Sequence, residues 1–403
     1  MNDEHNLVAR AKKVMSPVQG HYTDLQVKNG KGSYLFTTEG KKVLDFACGV
    51  AVTSLGHAHP AVNKAAKKQL DLITHNCAGV SYAEPGVALM EEISKVLPAD
   101  SDANAWQFWF CQSGTEVIEA AIKCARYTTK RKKVLALEGG FHGRTFGAMT
   151  LTSSNIEKYS KPYEPLVPDL LIVPRDINEI KKINLKEVAG ILTELVIGEG
   201  GYVVQDKKFI HELRKLCDEN GSYLILDEIQ TGFGRTGTMF AFEQFGVVPD
   251  LLCLGKAIAN GLPLGALVMK KNISEKWTVS SHGGTFTGNL VSCAAARATL
   301  KEIKKLLPIL NQKSKLFFEA LTVLQKKYPQ LLVEVRGIGL MIGVEFKSGD
   351  LATQFKNVAL AKGLLLITCG KDRETIRIIP PLNVSEREIK TGLNIIEATL
   401  GEL

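Results

Sequence analysis

Lys256 closes an apolar run, Leu251-Leu252-Cys253-Leu254-Gly255, and small residues follow it up to Asn260-Gly261. An ammonium is costly to bury unless it is paired, neutralised or chemically used. The lysine therefore either snorkels to water from the rim of a sheet or serves as a nucleophile. Upstream, Tyr223-Leu224-Ile225-Leu226 is a second strand-like run, and it ends in Asp227. In an open parallel sheet the C-terminal ends of strands line the ligand crevice. Two consecutive strands of this kind would deliver an acid and an amine to one pocket. An amine for a Schiff base and a carboxylate for a ring nitrogen are the two groups that pyridoxal 5'-phosphate requires.

Other stretches could complete such a pocket. Gln112-Ser113-Gly114-Thr115-Glu116 sits between a strand and a helix pattern. Ser113 and Glu116 fit a capping box, and the same geometry makes an anion site from free backbone N–H groups and the helix dipole. Gly139-Gly140-Phe141-His142-Gly143-Arg144 is a glycine-rich loop. Its histidine is either a core residue or a ligand contact, Phe141 could stack on a flat ring, and Arg144 could hold a carboxylate. Glu194 and Glu199 flank a loop after a strand, where either could be a solvated acid. Arg377 lies between apolar residues, so its charge needs a partner; Glu199 or a substrate carboxylate would serve. His282-Gly283-Gly284-Thr285 opens another glycine-rich loop before a helix, again suited to phosphate.

The elements that must position these groups alternate. From Trp106 onward, strand and helix patterns follow one another, which argues for an α/β protein with a parallel sheet flanked by helices. Strands are expected at 106–110, 134–137, 170–173, 188–194, 223–227, 251–254 and 264–269, with helices at 114–128 and through Phe209, Leu213 and Leu216. Before them, a hairpin around Glu39-Gly40 leads to a loop at 49–60, then to helices through Val62, Ala65, Ala66 and Leu70 and from Pro85 to Leu97. A helix from Asn289 to Leu307 hands over to a C-terminal domain with strands near 332–335, 341–346, 364–368 and 375–379.

The 403 residues carry a net charge of +8, with 45% hydrophobic and 23% charged residues. The lysines are spread over helix faces rather than interleaved with aromatics, which reads as a solvated surface and not a nucleic-acid groove. None of the eight cysteines forms a C-x-x-C pair, so they read as small buried hydrophobes of a reducing compartment, with no metal site. No apolar run is long enough for a bilayer and the N-terminus lacks a signal core, so a cytoplasmic protein with no membrane partner is expected.

In their order along the chain, SGTE at 113–116, FHGRT at 141–145, GEGG at 198–201, DEIQTGFGRTG at 227–237, LGK at 254–256, HGGTFTGN at 282–289 and RIIPPL at 377–382 resemble the class III (omega-amino acid) family of pyridoxal-phosphate aminotransferases. The likeness covers nearly the whole chain. It implies an α/β fold of type I. The large cofactor-binding domain would span 61–300 with a mostly parallel central sheet, and the smaller α/β domain would combine 1–60 with 301–403. It implies a homodimer with shared active sites.

Carried over by position, Ser113, Gly114 and Thr115 would hold the phosphate, and Thr285 would reach it from the neighbouring subunit. Phe141 would stack on the ring, His142 and Glu194 would belong to the cofactor pocket, and Asp227 would pair with the ring nitrogen. Gln230 would approach the ring hydroxyl and Lys256 would form the Schiff base. Val50, Arg144, Gly284 and Arg377 would contact substrate, with Glu199 shielding Arg377 when a substrate brings no carboxylate there. One departure stands out: relatives read E-P-V-Q-G-E-G-G where this chain has Glu194-Leu195-Val196-Ile197-Gly198-Glu199-Gly200-Gly201.

The segment Thr74–Pro85, with Cys77, and the segment Leu366–Gly370 look most like 4-aminobutyrate aminotransferases, and acetylornithine and ornithine enzymes more often carry serine where Gly284 stands. The expectation is ping-pong transamination of a 4-aminobutyrate-like donor with 2-oxoglutarate. An acetylornithine- or ornithine-type aminotransferase is the alternative; a racemase or decarboxylase on the same scaffold is a further one.

Overall fold

The computed structural model describes residues 6–98 and 106–403. Its centre is a seven-stranded sheet in the spatial order 106–111, 265–270, 251–254, 223–227, 188–193, 133–137, 170–173. Strands Val188–Thr193 and Leu251–Leu254 are buried along their whole length, as expected of parallel strands covered by helices on both faces. Every neighbouring pair from 251–254 to 170–173 is parallel. Gly265–Lys270 runs antiparallel to both its neighbours. The connection from Gly255 to Leu264 is shorter than the dozen or so residues a parallel crossover takes, so the chain turns back.

Helix Gly114–Thr129 packs Val117, Ile118, Ala121 and Cys124 against this sheet. Helix Pro60–Leu70 starts where Pro60 predicts, but it buries Val62 and Gln69 and leaves Leu70 52% exposed. The next helix is Glu84–Ser94; Leu97 is buried beyond its end. The helix expected to stop at Leu307 continues as one rod of 38 residues, Leu290–Lys327, with Pro308 inside it. Pro308 faces solvent, so the carbonyl it leaves unbonded can be hydrated. Leu300, Ile303, Leu310, Phe317 and Leu321 meanwhile keep one buried stripe going through the proline.

The chain's two ends meet. Lys42–Asp45 pairs with Tyr34–Thr37, as the Glu39-Gly40 turn suggested, and also with Leu364–Leu365 in parallel. The expected strand 364–368 is thus split: Leu364–Leu365 joins the N-terminal sheet and Ile367–Cys369 joins an antiparallel sheet with 332–338, 341–346 and 375–378. The stretch read as a plain loop contains one left-handed helical turn, Cys48–Ala51, with φ between 50° and 65°. Asp45 holds its start by accepting N–H groups from Ala47 and Cys48, and His57 reaches the other oxygen at 2.7 Å. A β-branched residue at positive φ, here Val50, is a strained placement.

Candidate active site

Asp227 and Lys256 stand at the ends of adjacent parallel strands and line one cavity of about 410 Å³, within the usual size of small-molecule sites. Gly255 lets the chain enter this corner, because a Cβ there would come within 3.2 Å of Ile229. Lys256 itself takes φ 44°, and the turn after it is locked by Asn260. The Asn260 side chain accepts from the Leu55 N–H at 2.7 Å and donates to the Gly56 carbonyl at 3.1 Å, tying the lysine's turn to the segment that brings Val50 to the cavity wall.

Asp227 is buried and held on both oxygens. One accepts the Ile229 N–H at 3.0 Å; the other lies 2.8 Å from His142 Nδ1. His142 Nε2 is buried without a hydrogen-bond partner among the described residues. Glu194 accepts from the Phe141 and Gly198 N–H groups at 2.8 and 3.0 Å. Burial, then repulsion by Asp227, raises its pKa to about 7, against the pull of His142 and the two N–H groups. Burial likewise pushes the Lys256 amine below its usual range, although Glu194 and Asp227 oppose that shift. The amine therefore has a neutral, nucleophilic form at a lower pH than a surface lysine has.

A raised carboxyl pKa means that the native state prefers the protonated acid. The stability Glu194 contributes is present below its usual 4.5 and lost as pH rises through about 7. In Glu194→Gln that slope should vanish. Urea titrations of the apoprotein should show wild type losing about 3 kcal/mol relative to the variant between pH 5 and 8, and parallel pH curves would refute the assignment.

At the other end of the cavity the expected capping box is half made. Ser113 Oγ donates to the Glu116 carboxylate at 2.7 Å, which also takes the Gln112 N–H at 3.1 Å, but no side chain caps the first-turn N–H groups of helix Gly114–Thr129. Gly114 and Thr115 line the cavity there, so positive dipole and free donors face it. Thr115 Oγ1 meets Thr145 Oγ1 at 2.7 Å, and Gly143, at φ 135°, packs so closely that a Cβ would collide with Thr115. Donors for a phosphate, a held carboxylate for a ring nitrogen, an amine and the Phe141 ring thus surround one space, and these residues fit pyridoxal phosphate.

Arg144 is exposed at the cavity mouth, its guanidinium 5.6 Å from the Tyr159 ring centre. Arg377, fully buried, pairs with Glu199 at 2.9 Å and donates to the Thr368 carbonyl at 2.8 Å and the Tyr22 hydroxyl at 3.1 Å. The departure from the family loop is absorbed by the core: Leu195, Val196 and Ile197 are buried, and Val196–Ile197 forms a tight hairpin with Val203–Val204. Both loop acids still line the cavity. Gln230 also lines it and accepts from the Tyr202 hydroxyl at 2.6 Å. Thr285 and Gly284 are exposed and line no part of this chain's cavity, and Ser113 stands behind Gly114 rather than on the wall. Tyr22, Tyr159 and Ile229 line the cavity without having been singled out by sequence. Ile229 follows Asp227 closely enough to be found; Tyr22 sits in an aperiodic segment that carries no such signal.

A mostly parallel sheet with an acid and a lysine at adjacent strand ends, opposite an uncapped helix N-terminus, is the site of a pyridoxal-phosphate-dependent enzyme. The family model for class-III aminotransferases matches residues 15–400, and the chain belongs to that family. It is 38% identical to acetylornithine aminotransferase of Caldanaerobacter subterraneus over 98% of this chain and the whole of that one. Its identity to acetylornithine aminotransferase of Methanocaldococcus jannaschii is 38%, over 99% of each. The ornithine aminotransferase of Toxoplasma gondii, a structure with partial occupancy of PLP at its active site, superposes with a TM-score of 0.88 at 25% identity, covering 98% of this chain and 93% of that one.

Proposed function

We propose that this aminotransferase moves the terminal amine of an N-acylated ornithine-type amino acid to 2-oxoglutarate. The observation that carries the reading is a pair of arginines placed differently about the cavity that holds Lys256: Arg144 lines it and is open at the mouth, whereas Arg377 is buried behind the wall residue Glu199 with which it pairs. An open guanidinium suits the donor's α-carboxylate. A covered one suits an acceptor with a second carboxylate, able to compete with Glu199. The names of the curated relatives favour this donor over 4-aminobutyrate. Cys77, which suggested the latter, lines no part of this chain's cavity.

Bound pyridoxal phosphate supplies an electron-accepting ring that acidifies the carbon bearing the amine. Lys256 would take and return the proton at that carbon. Asp227, steadied by His142 and the Ile229 N–H, would keep the ring nitrogen protonated. Gly114 and Thr115 would hold the phosphate, Phe141 would cover the ring face, and Gln230 and Glu194 would border its edge. Steady-state rates for a panel of amino donors against 2-oxoglutarate test the assignment. N-acetylornithine should exceed 4-aminobutyrate in kcat/KM by about tenfold or more; the reverse order would restore the 4-aminobutyrate reading, and absence of glutamate would point to a racemase or decarboxylase.

The phosphate seat has its own test. Gly143→Ala should weaken cofactor binding about tenfold or more, because the methyl displaces Thr115 and strains the loop. Spectrophotometric titration of the apoprotein reads this, and an unchanged affinity would move the phosphate elsewhere.

A homodimer with shared sites is part of the proposal. Phe286, beside Thr285, is 62% exposed, and Leu72, Val80, Tyr82 and Val279 are 69% to 96% exposed, an apolar surface that a second copy would cover. Mixing inactive Lys256→Ala and Thr285→Ala proteins should regain activity if Thr285 serves the partner's pocket; no recovery would argue against sharing. A large domain of 61–300 and a smaller one of 1–60 with 301–403 is part of the proposal too, supported by the pairing of 42–45 with 364–365, which brings the two ends together. Among the described residues no helix is long and apolar enough to cross a membrane, and a cytoplasmic location is proposed with the function.

A further inference from the structure

Tyr22 reaches the cavity from an irregular segment between helix Leu7–Val14 and strand Val27–Lys31. Among the described residues, the hydrogen bonds that tie residues 20–25 to the rest of the fold come from two side chains. Arg377 donates to the Tyr22 hydroxyl at 3.1 Å, and Lys356 donates to the Tyr22 carbonyl at 2.7 Å. The Arg373 guanidinium lies 5.8 Å from the centre of the Tyr22 ring. Lys356 stands on helix Gly349–Ala361 and is only 8% exposed, although its ammonium has a neutral carbonyl for partner. Burial, then Arg373, pushes its pKa down. Such a placement is costly in isolation, and the bond to the Tyr22 carbonyl offsets part of that cost.

The arrangement downstream of this bond gives it a role. Arg377 holds Thr368 through a neighbouring strand of its own sheet and Glu199 across an ion pair. Its remaining contact, Tyr22, belongs to no sheet. The orientation of the guanidinium therefore depends in part on where the irregular segment is held. We propose that Lys356 is a positioning residue for substrate recognition: by holding the Tyr22 carbonyl it sets the tyrosine hydroxyl against Arg377 and thereby fixes the guanidinium that faces Glu199. Lys356 lines no part of the cavity and is linked through Tyr22 to Arg377, so its effect is on binding rather than on the proton transfer at Lys256. The inference rests on the reading of Arg377 as the seat of the acceptor's second carboxylate.

The test combines hydrogen exchange with kinetics on the cofactor-loaded enzyme. Lys356→Met keeps the stem and removes the donor. Amides of peptides covering 16–26 should exchange about tenfold faster or more. KM for 2-oxoglutarate should rise about fivefold or more with kcat within about twofold, since a guanidinium misplaced by a fraction of an ångström loses binding. Lys356→Arg should restore most of both. Tyr22→Phe should raise KM without speeding exchange, because the carbonyl anchor survives. Lys313, another buried lysine, donates to the Leu382 carbonyl at 2.8 Å; Lys313→Met should leave exchange over 16–26 unchanged. Unchanged exchange in Lys356→Met would overturn the clamp, and faster exchange with unchanged KM would overturn its link to recognition. The underlying reading fails separately, if Arg377→Gln leaves KM for 2-oxoglutarate as it was.

Discussion

Lys256→Ala is expected to lower kcat by more than about 10⁴-fold, the scale seen when a nucleophile that also shuttles protons is removed. The loss should be specific to chemistry. Among the described residues the Lys256 side chain makes no hydrogen bond, and its neighbours Ala257, Ile258 and Ala259 are buried by apolar contacts that the substitution leaves alone. Burial disfavours the charged amine, so its removal relieves a desolvation cost while giving up the attraction of Glu194 and Asp227. The apoprotein should therefore unfold within a few degrees of wild type, and a scanning calorimetry trace together with a single-turnover assay separates the two quantities. A Lys256→Ala protein that still forms glutamate at more than a hundredth of the normal rate would remove the lysine from the mechanism.

Asp227→Asn should be the second largest effect, a loss of about 10²- to 10³-fold in kcat. The side chain keeps its shape, and its carbonyl oxygen can still accept either the Ile229 N–H or the His142 Nδ1–H. It cannot keep a proton on a ring nitrogen by charge. The bond to His142, 2.8 Å in the present structure, then turns from charge-assisted to neutral, and one of its two clamps weakens. Glu194 supplies a second readout. Asp227 raises the Glu194 pKa, so neutralising position 227 should lower that pKa and shift the pH dependence of the apoprotein's stability to lower pH. A kcat within tenfold of wild type would mean that the ring nitrogen is served by another group.

Much of this site could be read from the chain because the groups sit at the ends of strands. Asp227 and Lys256 each terminate a run of buried residues, and adjacent parallel strands deliver consecutive ends to the same crevice. The glycines at 114 and 143 were legible for a related reason: they precede or interrupt elements at points where backbone must approach something closely. What escaped has long-range causes. Tyr22 arrives through bonds to residues more than 300 positions away, and no local pattern records them. The left-handed turn at Cys48–Ala51 runs against the preference of every non-glycine residue in it and is held by Asp45, itself clamped by His57. The antiparallel strand 265–270 reads the same as a parallel one, since burial pattern alone carries no direction. Pro308 signals a helix end locally, yet the buried stripe on either side of it overrides the signal.

The donor was the least legible feature. A one-group difference in a pocket is worth only about 1–3 kcal/mol, too little to leave a pattern in the chain. The segments 74–85 and 366–370 resemble those of 4-aminobutyrate enzymes, whereas the curated relatives matched along nearly their whole length are acetylornithine aminotransferases.

The most direct test is to reduce the cofactor-loaded protein with borohydride and map the modified peptide by mass spectrometry. The account requires one pyridoxyl group per chain, on the peptide carrying Lys256 and on that side chain. A modification on any other lysine, or a protein that takes up no cofactor and yields no adduct, would contradict it.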